Sequence, residues 1–393
     1  MNRLFGSLFA INFLISLGFA MLDPFFPIYI KDAGIGGIHF AAIFSVYTLS
    51  RMILSPWIGL WSDGIGRRSF IFAGLGLNVC VALLYLCAPS VPLLIITRFL
   101  QGVASAFFRT VVMALVGDQS PREKEGLTIG TFDISFYSSL ALGPVIGAIV
   151  KIHFGMSGIF IALSITCLLS FLLAVFLIPD IHKEGGIQHE RLRVGYTALV
   201  KNKVFFGLLC FIFTRAIGIS LFTIFMPLFM KVNLGLDSLR IGVIMASGTV
   251  LMMLFLMPMG ILSDRRNRRI LVVTGGFLVS LLTCCLPLTS GFWYLLLITV
   301  LLGLVSATSL PASAAILMEE GDRYGMGLAF GLFNMTMNLG SAVAPFLGNM
   351  VMDIAGLPPI FYLAGFIGFA GVVIFYIYSV GYSGLHSKTV SAG

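Results

Sequence analysis

Charge is what this sequence has least of. Aspartate, glutamate, lysine and arginine make up 10% of its 393 residues, against about 25% in a soluble globular chain. A chain so poor in charge cannot cover itself with wetted side chains, which excludes an ordinary soluble domain. Groups for covalent chemistry are scarce too. The six cysteines, Cys80, Cys87, Cys167, Cys210, Cys284 and Cys285, fall inside apolar runs, and none has zinc-ligand spacing with a histidine. They read as small packing residues, with no disulfide framework and no metal. The five histidines fall in loops or at the ends of apolar runs, and no Ser–His or Cys–His arrangement stands out. With no phosphate-binding glycine loop either, neither an enzyme nor an ATP-driven pump within this chain is expected, and no cofactor.

What is present is apolar: 59% of residues are hydrophobic and the mean hydropathy is +1.05. Roughly 20 apolar residues cross a bilayer as a helix. Reading apolar runs between charged or turn-rich breaks predicts an all-α membrane protein of twelve transmembrane helices, at about 4–30, 38–61, 69–89, 91–116, 127–150, 156–178, 204–230, 239–262, 270–288, 292–317, 326–350 and 356–381. The first run is too long for a signal-peptide core and no small-residue cleavage site follows it, so it reads as a retained span. Asn334-Met335-Thr336 matches a glycosylation sequon but lies inside a span. The longest polar stretch, 179–203, divides the spans into 1–178 and 204–393 and reads as a cytoplasmic linker.

The net charge of +8 sits mostly in short loops, a topology signal rather than a nucleic-acid footprint. With the N-terminus inside, sixteen lysines and arginines fall on the inner side, Arg3, Arg67, Arg68, Arg122, Lys124, Lys183, Arg191, Arg193, Lys201, Lys203, Arg265, Arg266, Arg268, Arg269, Arg323 and Lys388, against four outside, Lys31, Lys151, Lys231 and Arg240. That bias places both termini in the cytoplasm. The short loops and compact length fit a multi-pass protein of a plasma (inner) membrane, expected as a monomer.

The chain repeats itself. Gly59-Leu60-Trp61-Ser62-Asp63 recurs 201 residues later as Gly260-Ile261-Leu262-Ser263-Asp264. Arg67 and Arg68 recur as Arg268 and Arg269 at the same offset, and Gly102, Asp118, Gly126, Gly130, Pro144 and Gly147 as Gly303, Glu319, Gly327, Gly331, Pro345 and Gly348. A gap-free set spread over four spans points to a duplicated six-span unit. Because six is even, both copies run in the same direction through the membrane.

The loop after the second span, Gly59 to Arg68, resembles the signature inner loop of the major facilitator superfamily. Arg98, Gln101 and Gly102 resemble its second motif, and Gly143-Pro144-Val145-Ile146-Gly147 its antiporter motif, with Ser139 and Ala148 standing where glycine is usual. The resemblance covers nearly the whole chain and leans to the drug/proton antiporter branch. It implies two six-helix bundles related by a pseudo-twofold axis along the membrane normal, with substrate at mid-membrane between them. It also implies alternating access and, through the third motif, proton-coupled export of small amphiphilic compounds. Uptake or exchange of an organic anion is the alternative within transport, and a non-transporting membrane sensor the alternative outside it.

Particular residues carry these expectations. Gly59 would let a neighbouring helix approach, and Asp63, Arg67, Arg68 and Asp118, mirrored by Asp264, Arg268 and Glu319, would form an inner-surface gate; ordinary topogenic charge is the alternative. Arg265 and Asn267 replace the two loop glycines in the second copy, so a looser turn is expected there. Gly143, Pro144 and Gly147 would make a kinked, closely packed gating helix. Arg98, Gln101, Ser105 and Arg109 fall at helical spacing on one face, expected to line a cavity.

An intramembrane arginine calls for a partner. Asp23 lies at matching depth, with Asn12 and Ser16 on its face. A carboxyl poised between a cation and an apolar surround can take and release a proton, so Asp23, Arg98 and Gln101 form a candidate proton-coupling set, or else a static buried ion pair. Asp133 is a second candidate for protonation, with Tyr137 one turn on and Asn334 and Asn338 at the repeat-related positions. Arg51, with Tyr47 on its face, and Arg215 complete the substrate-binding candidates together with Arg109, unless Arg109 and Arg51 instead snorkel or bind carbonyls. Four span arginines against two span aspartates favour an anionic or zwitterionic small-molecule substrate.

Overall fold

The computed structural model describes residues 3–87, 90–118, 125–178 and 202–381. The linker up to residue 201, and with it Lys183, Arg191, Arg193 and Lys201, lies outside the described residues, as do Arg122, Lys124 and Lys388 and the side chains of Asp63 and Asp118.

Every regular element among the described residues is helical: α1 Arg3–Leu22, α2 Phe26–Asp32, α3 Gly37–Ile65, α4 Arg67–Cys87, α5 Val91–Ser105, α6 Val111–Asp118, α7 Glu125–Leu177, α8 Lys203–Val232, α9 Ser238–Arg265, α10 Arg268–Cys285, α11 Phe292–Tyr324, α12 Met326–Ala355 and α13 Pro358–Tyr376. Helices satisfy their own backbone, which is what a chain dissolved in hydrocarbon requires. Ten stretches are long and apolar enough to cross a membrane. One of them holds two expected spans, because α7 runs through both and departs from helical geometry at Gly155 (φ 67°), a backbone region that glycine enters without strain. The 30-residue α12 is not among the ten; it carries Asn334 and Asn338. Large apolar side chains stay outside, with Phe154, Phe176, Met257 and Trp293 all more than 70% exposed, as lipid contact demands.

The first expected span is not continuous. It breaks at Asp23-Pro24-Phe25, between α1 and α2. Pro24 and Pro27 lack N–H groups, so the carbonyls of Ala20 and Asp23 lose their helical donors, and each ring crowds the preceding turn. The seventh span, α8, keeps a single proline, Pro227, and runs unbroken.

The chain divides into two compact units, Met1–Gly186 with Pro227–Val250, and Ile187–Met226 with Leu251–Gly393. In the first, α1 lies along α7, and α4 packs on α5 and α7. Glycines set these approaches. A Cβ on Gly143 would overlap Ala20, one on Gly147 would overlap the Met21 carbonyl, and one on Gly102 would overlap Ser50 and the Tyr47 carbonyl. The segment from Pro227 to Val250 joins this unit through Lys231, whose Nζ lies 2.6 Å from Asp32 Oδ2, and Gly242, where a Cβ would lie 2.5 Å from the Pro144 carbonyl oxygen. In the second unit, α10 packs on α11 and α13 around a core that includes Phe205, Phe211, Val272, Ile316 and Phe375.

The repeat extends to contacts. Gly74 faces Phe107 and Phe108, and Gly275 faces Thr308 and Ser309, each pair 201 residues from its counterpart. Gly147 meets α1 at Met21, and Gly348 meets α8 at Leu221 and Phe225.

Candidate functional site

The break in the first span puts Asp23 on a turn rather than inside a helix. Three residues further on, α2 presents Phe26, and the guanidinium of Arg98 stacks on its ring at 3.9 Å from the centroid. Phe44 and Tyr85 close the box at 5.3 and 5.9 Å. Arg98 Nη1 donates to Gln101 Oε1 at 3.0 Å, and the Tyr85 hydroxyl donates to the same oxygen at 2.7 Å. All three side chains are buried, Arg98 with 4% exposure, so the cation is held by a ring face and one amide oxygen. Asp23 interacts electrostatically with both Arg98 and Tyr85. The expected trio is therefore assembled, with the hydrogen bond of Arg98 going to Gln101 while Asp23 is coupled through space. Tyr85, which holds Gln101, was missed by sequence reasoning; its one signal is a hydroxyl in an apolar run.

A second cluster joins α3, the turn Ala106–Thr110 and α7. Arg109 Nη2 is 3.5 Å from Asp133 Oδ1, and its guanidinium covers the Phe136 ring at 4.3 Å. The electrostatic neighbours of Arg109 include Arg51, Asp133, Tyr137 and Tyr47. Five residues singled out in the sequence thus meet at one place, and Tyr47, which also interacts with Tyr85, links this cluster to the first. The single face expected for Arg98 through Arg109 is split, because Ala106–Thr110 is π-helical and interrupts the α spacing. Such turns are frequent at functional sites.

Beside Asp133, α1 and α7 are tied by polar bonds. Asn12 Nδ2 donates to Ser135 Oγ at 2.7 Å, and Ser139 Oγ lies 2.8 Å from the carbonyls of Phe13 and Ser135. The serine that departs from the antiporter motif thereby adds an interhelical bond, and Asn12 is spent on packing.

In the second unit Arg215 Nη1 donates to Ser309 Oγ at 2.7 Å. Asn334 and Asn338 donate to carbonyls of their own helix, Phe330 and Asn334, at 2.9 Å each. Unlike Asp133 at the matching position, Asn334 brings no charge.

Arg268 bridges two carboxylates, Asp264 at 3.2 Å and Glu319. In the first copy Arg67 is buried and Arg68 lies 5.1 Å over the Phe72 ring. One expectation changes here. At Gly59 a Cβ would meet Thr110 only at 3.8 Å, ordinary contact, so no close approach depends on that glycine. The second-copy turn leaves two residues, Arg266 and Asn267, outside helix where the first copy leaves Gly66 alone; Gly66 turns at φ 116°, and Asn267 caps α10 by accepting from the Arg269 N–H at 3.0 Å. Sequence reasoning also missed Glu320, buried and accepting from Asn202 Nδ2 at 2.7 Å; its doublet with Glu319 was the available signal.

A sequence profile of the Major Facilitator Superfamily matches residues 8–232 and again 208–389. The chain belongs to the Major Facilitator Superfamily. Among its relatives within that superfamily, the quinolone resistance protein NorA of Staphylococcus aureus (strain MRSA252) is 24% identical over 381 residues, covering 95% of this chain and 96% of NorA. The multi-drug resistance efflux pump PmrA of Streptococcus pneumoniae (strain TIGR4) is 28% identical over 363 residues, covering 89% and 90%. The crystal structure of the human organic anion transporter MFSD10 (TETRAN) shares the fold, with a TM-score of 0.67 at 14% identity over 95% of this chain and 99% of that one. This major facilitator protein is accordingly an integral, multi-pass membrane transporter of small molecules, not an enzyme.

Proposed function

We propose that the chain is a proton-coupled exporter of small amphiphilic compounds, working by alternating access between two six-span bundles, 1–178 and 204–393, related by a twofold along the membrane normal. The linker and both termini lie in the cytoplasm and the membrane is the plasma (inner) membrane. Asp23 and Asp133 exchange protons, Arg98 and Gln101 switch the first of them, and Arg51, Tyr47, Arg109, Tyr137, Arg215, Asn334 and Asn338 contact substrate. The Arg268 bridge, its first-copy counterpart and the glycine-proline motif of α7 control access. The observation that carries the reading is the Arg109–Asp133 pair, 3.5 Å apart with Arg51 among its electrostatic neighbours: a carboxyl that trades a proton against an arginine gives an anionic group or a proton the same place to act. The full-length match to efflux relatives supports the direction.

The test is substrate-dependent proton flux in proteoliposomes. Efflux of a lipophilic dye driven by an imposed pH gradient, lost in Asp133→Asn, is the expected result; dye movement indifferent to the gradient would refute coupling. A second reading, exchange of an organic anion, is favoured by Arg51 and Arg109 being electrostatic neighbours, with Asp133 paired to Arg109. It predicts transport of a carboxylate that Arg51→Ala weakens, without any proton requirement.

A further inference from the structure

The segment Asp264-Arg265-Arg266-Asn267-Arg268-Arg269 holds four arginines in five positions, twice the number at the matching place in the first copy. Two of the four are occupied. Arg268 bridges Asp264 and Glu319, and Arg269 Nη1 donates to the Ser379 carbonyl at 2.7 Å. Arg265 and Arg266 are exposed, and no hydrogen bond or ion pair of their side chains occurs among the described residues. Setting Asp264 and Glu319 against the four arginines leaves this patch at +2.

The position of Arg265 gives that charge a partner. Leu254, Met257 and Ile261 of α9 are 60%, 77% and 49% exposed. Their spacing of three and four residues makes one stripe, and Arg265 stands one turn beyond Ile261 on the same stripe. An apolar side-chain row on a membrane-crossing helix is where acyl chains lie, and the helix end is where their headgroups lie. Ile270, at the start of α10, is 49% exposed and flanks the turn from its other side. The first copy is an internal control. On α3, Ile53 and Leu60 occupy the same repeat positions and are as exposed, with Trp57 and Trp61 beside them, but the row ends in Gly64, which carries no charge.

We propose that Arg265 and Arg266 form a binding site for the headgroup of an anionic phospholipid, whose acyl chains lie along Leu254, Met257 and Ile261, and that this site exists in the second copy alone. The phosphate is recognised by two guanidinium groups with no competing carboxylate bond, and the stripe selects a lipid over a free anion.

The test is lipid binding to the purified full-length protein by native mass spectrometry, comparing phosphatidylglycerol with phosphatidylcholine. The wild-type protein should retain phosphatidylglycerol preferentially, and Arg265→Ala with Arg266→Ala should weaken it about 30-fold, on the scale of two surface arginines facing anionic lipid. The paired lysine variant, which keeps both charges, should hold the preference and shows that loss in the alanine variant is not misfolding. An alanine variant that still prefers phosphatidylglycerol overturns the proposal, as does loss of preference in the lysine variant. Displacement of the lipid by millimolar inorganic phosphate also overturns it, since the occupant would then be a free anion.

Discussion

Tyr85 and Arg98 share one acceptor: the hydroxyl and the guanidinium both donate to Gln101 Oε1, at 2.7 and 3.0 Å. Removing that oxygen strands two buried donors at once. Gln101→Leu should destabilise the protein by about 2–6 kcal/mol, since each of the two orphaned donors costs about 1–3 kcal/mol. Gln101→Glu, which keeps the acceptor, should cost much less. Thermal unfolding in detergent separates the two, and equal midpoints would show that the shared acceptor contributes nothing.

Asp23 lies at the break of the first span, coupled to Arg98 but not hydrogen-bonded to it among the described contacts. If it carries the proton, Asp23→Asn should abolish transport driven by a pH gradient while leaving substrate binding intact. Proteoliposome flux and equilibrium dye binding measure the two separately. Undiminished gradient-driven flux would remove Asp23 from the mechanism.

Gly147 sits where a Cβ would overlap the carbonyl of Met21, backbone that cannot give way as a side-chain tip can. Gly147→Val should force α7 from α1 at an overpacking cost of about 1–3 kcal/mol and depress transport. Gly59→Ala, where the nearest atom lies 3.8 Å away, should leave the unfolding temperature unchanged. The opposite order of effects would mean the glycines act through flexibility rather than fit.

Arg268 is bound by Asp264 and Glu319, both of which are largely exposed. Exposed pairs contribute about 0–1 kcal/mol, so Arg268→Gln should barely alter stability. As a gate it should still alter transport rate. Exchanging the charges, Arg268→Glu with Glu319→Arg, should recover part of the rate lost in either single variant. Single variants with wild-type rates would reduce the bridge to topogenic charge.

The sequence by itself determined the class of molecule. Lipid as solvent imposes long apolar helices whatever their neighbours, so the spans could be read locally, and most observed helices start or stop within a few residues of the reading. It also exposed the duplication, since a fixed offset needs no coordinates, and it named Arg51, Tyr47, Arg109, Asp133 and Tyr137, because polar groups in an apolar run are conspicuous.

Only the tertiary structure decided which of these meet and how. Pro24 and Pro27 were visible, yet that they break the span at Asp23 depends on backbone geometry. The π-turn at Ala106–Thr110 has no proline or glycine to announce it, and it sends Arg98 and Arg109 to different partners. That Arg98 rests on Phe26 and Gln101, and that Ser139 bonds across to Phe13 where a glycine was expected, follows from the rotation and depth of helices distant in sequence. Those quantities are set by side-chain packing between helices, and periodicity along one helix does not contain them.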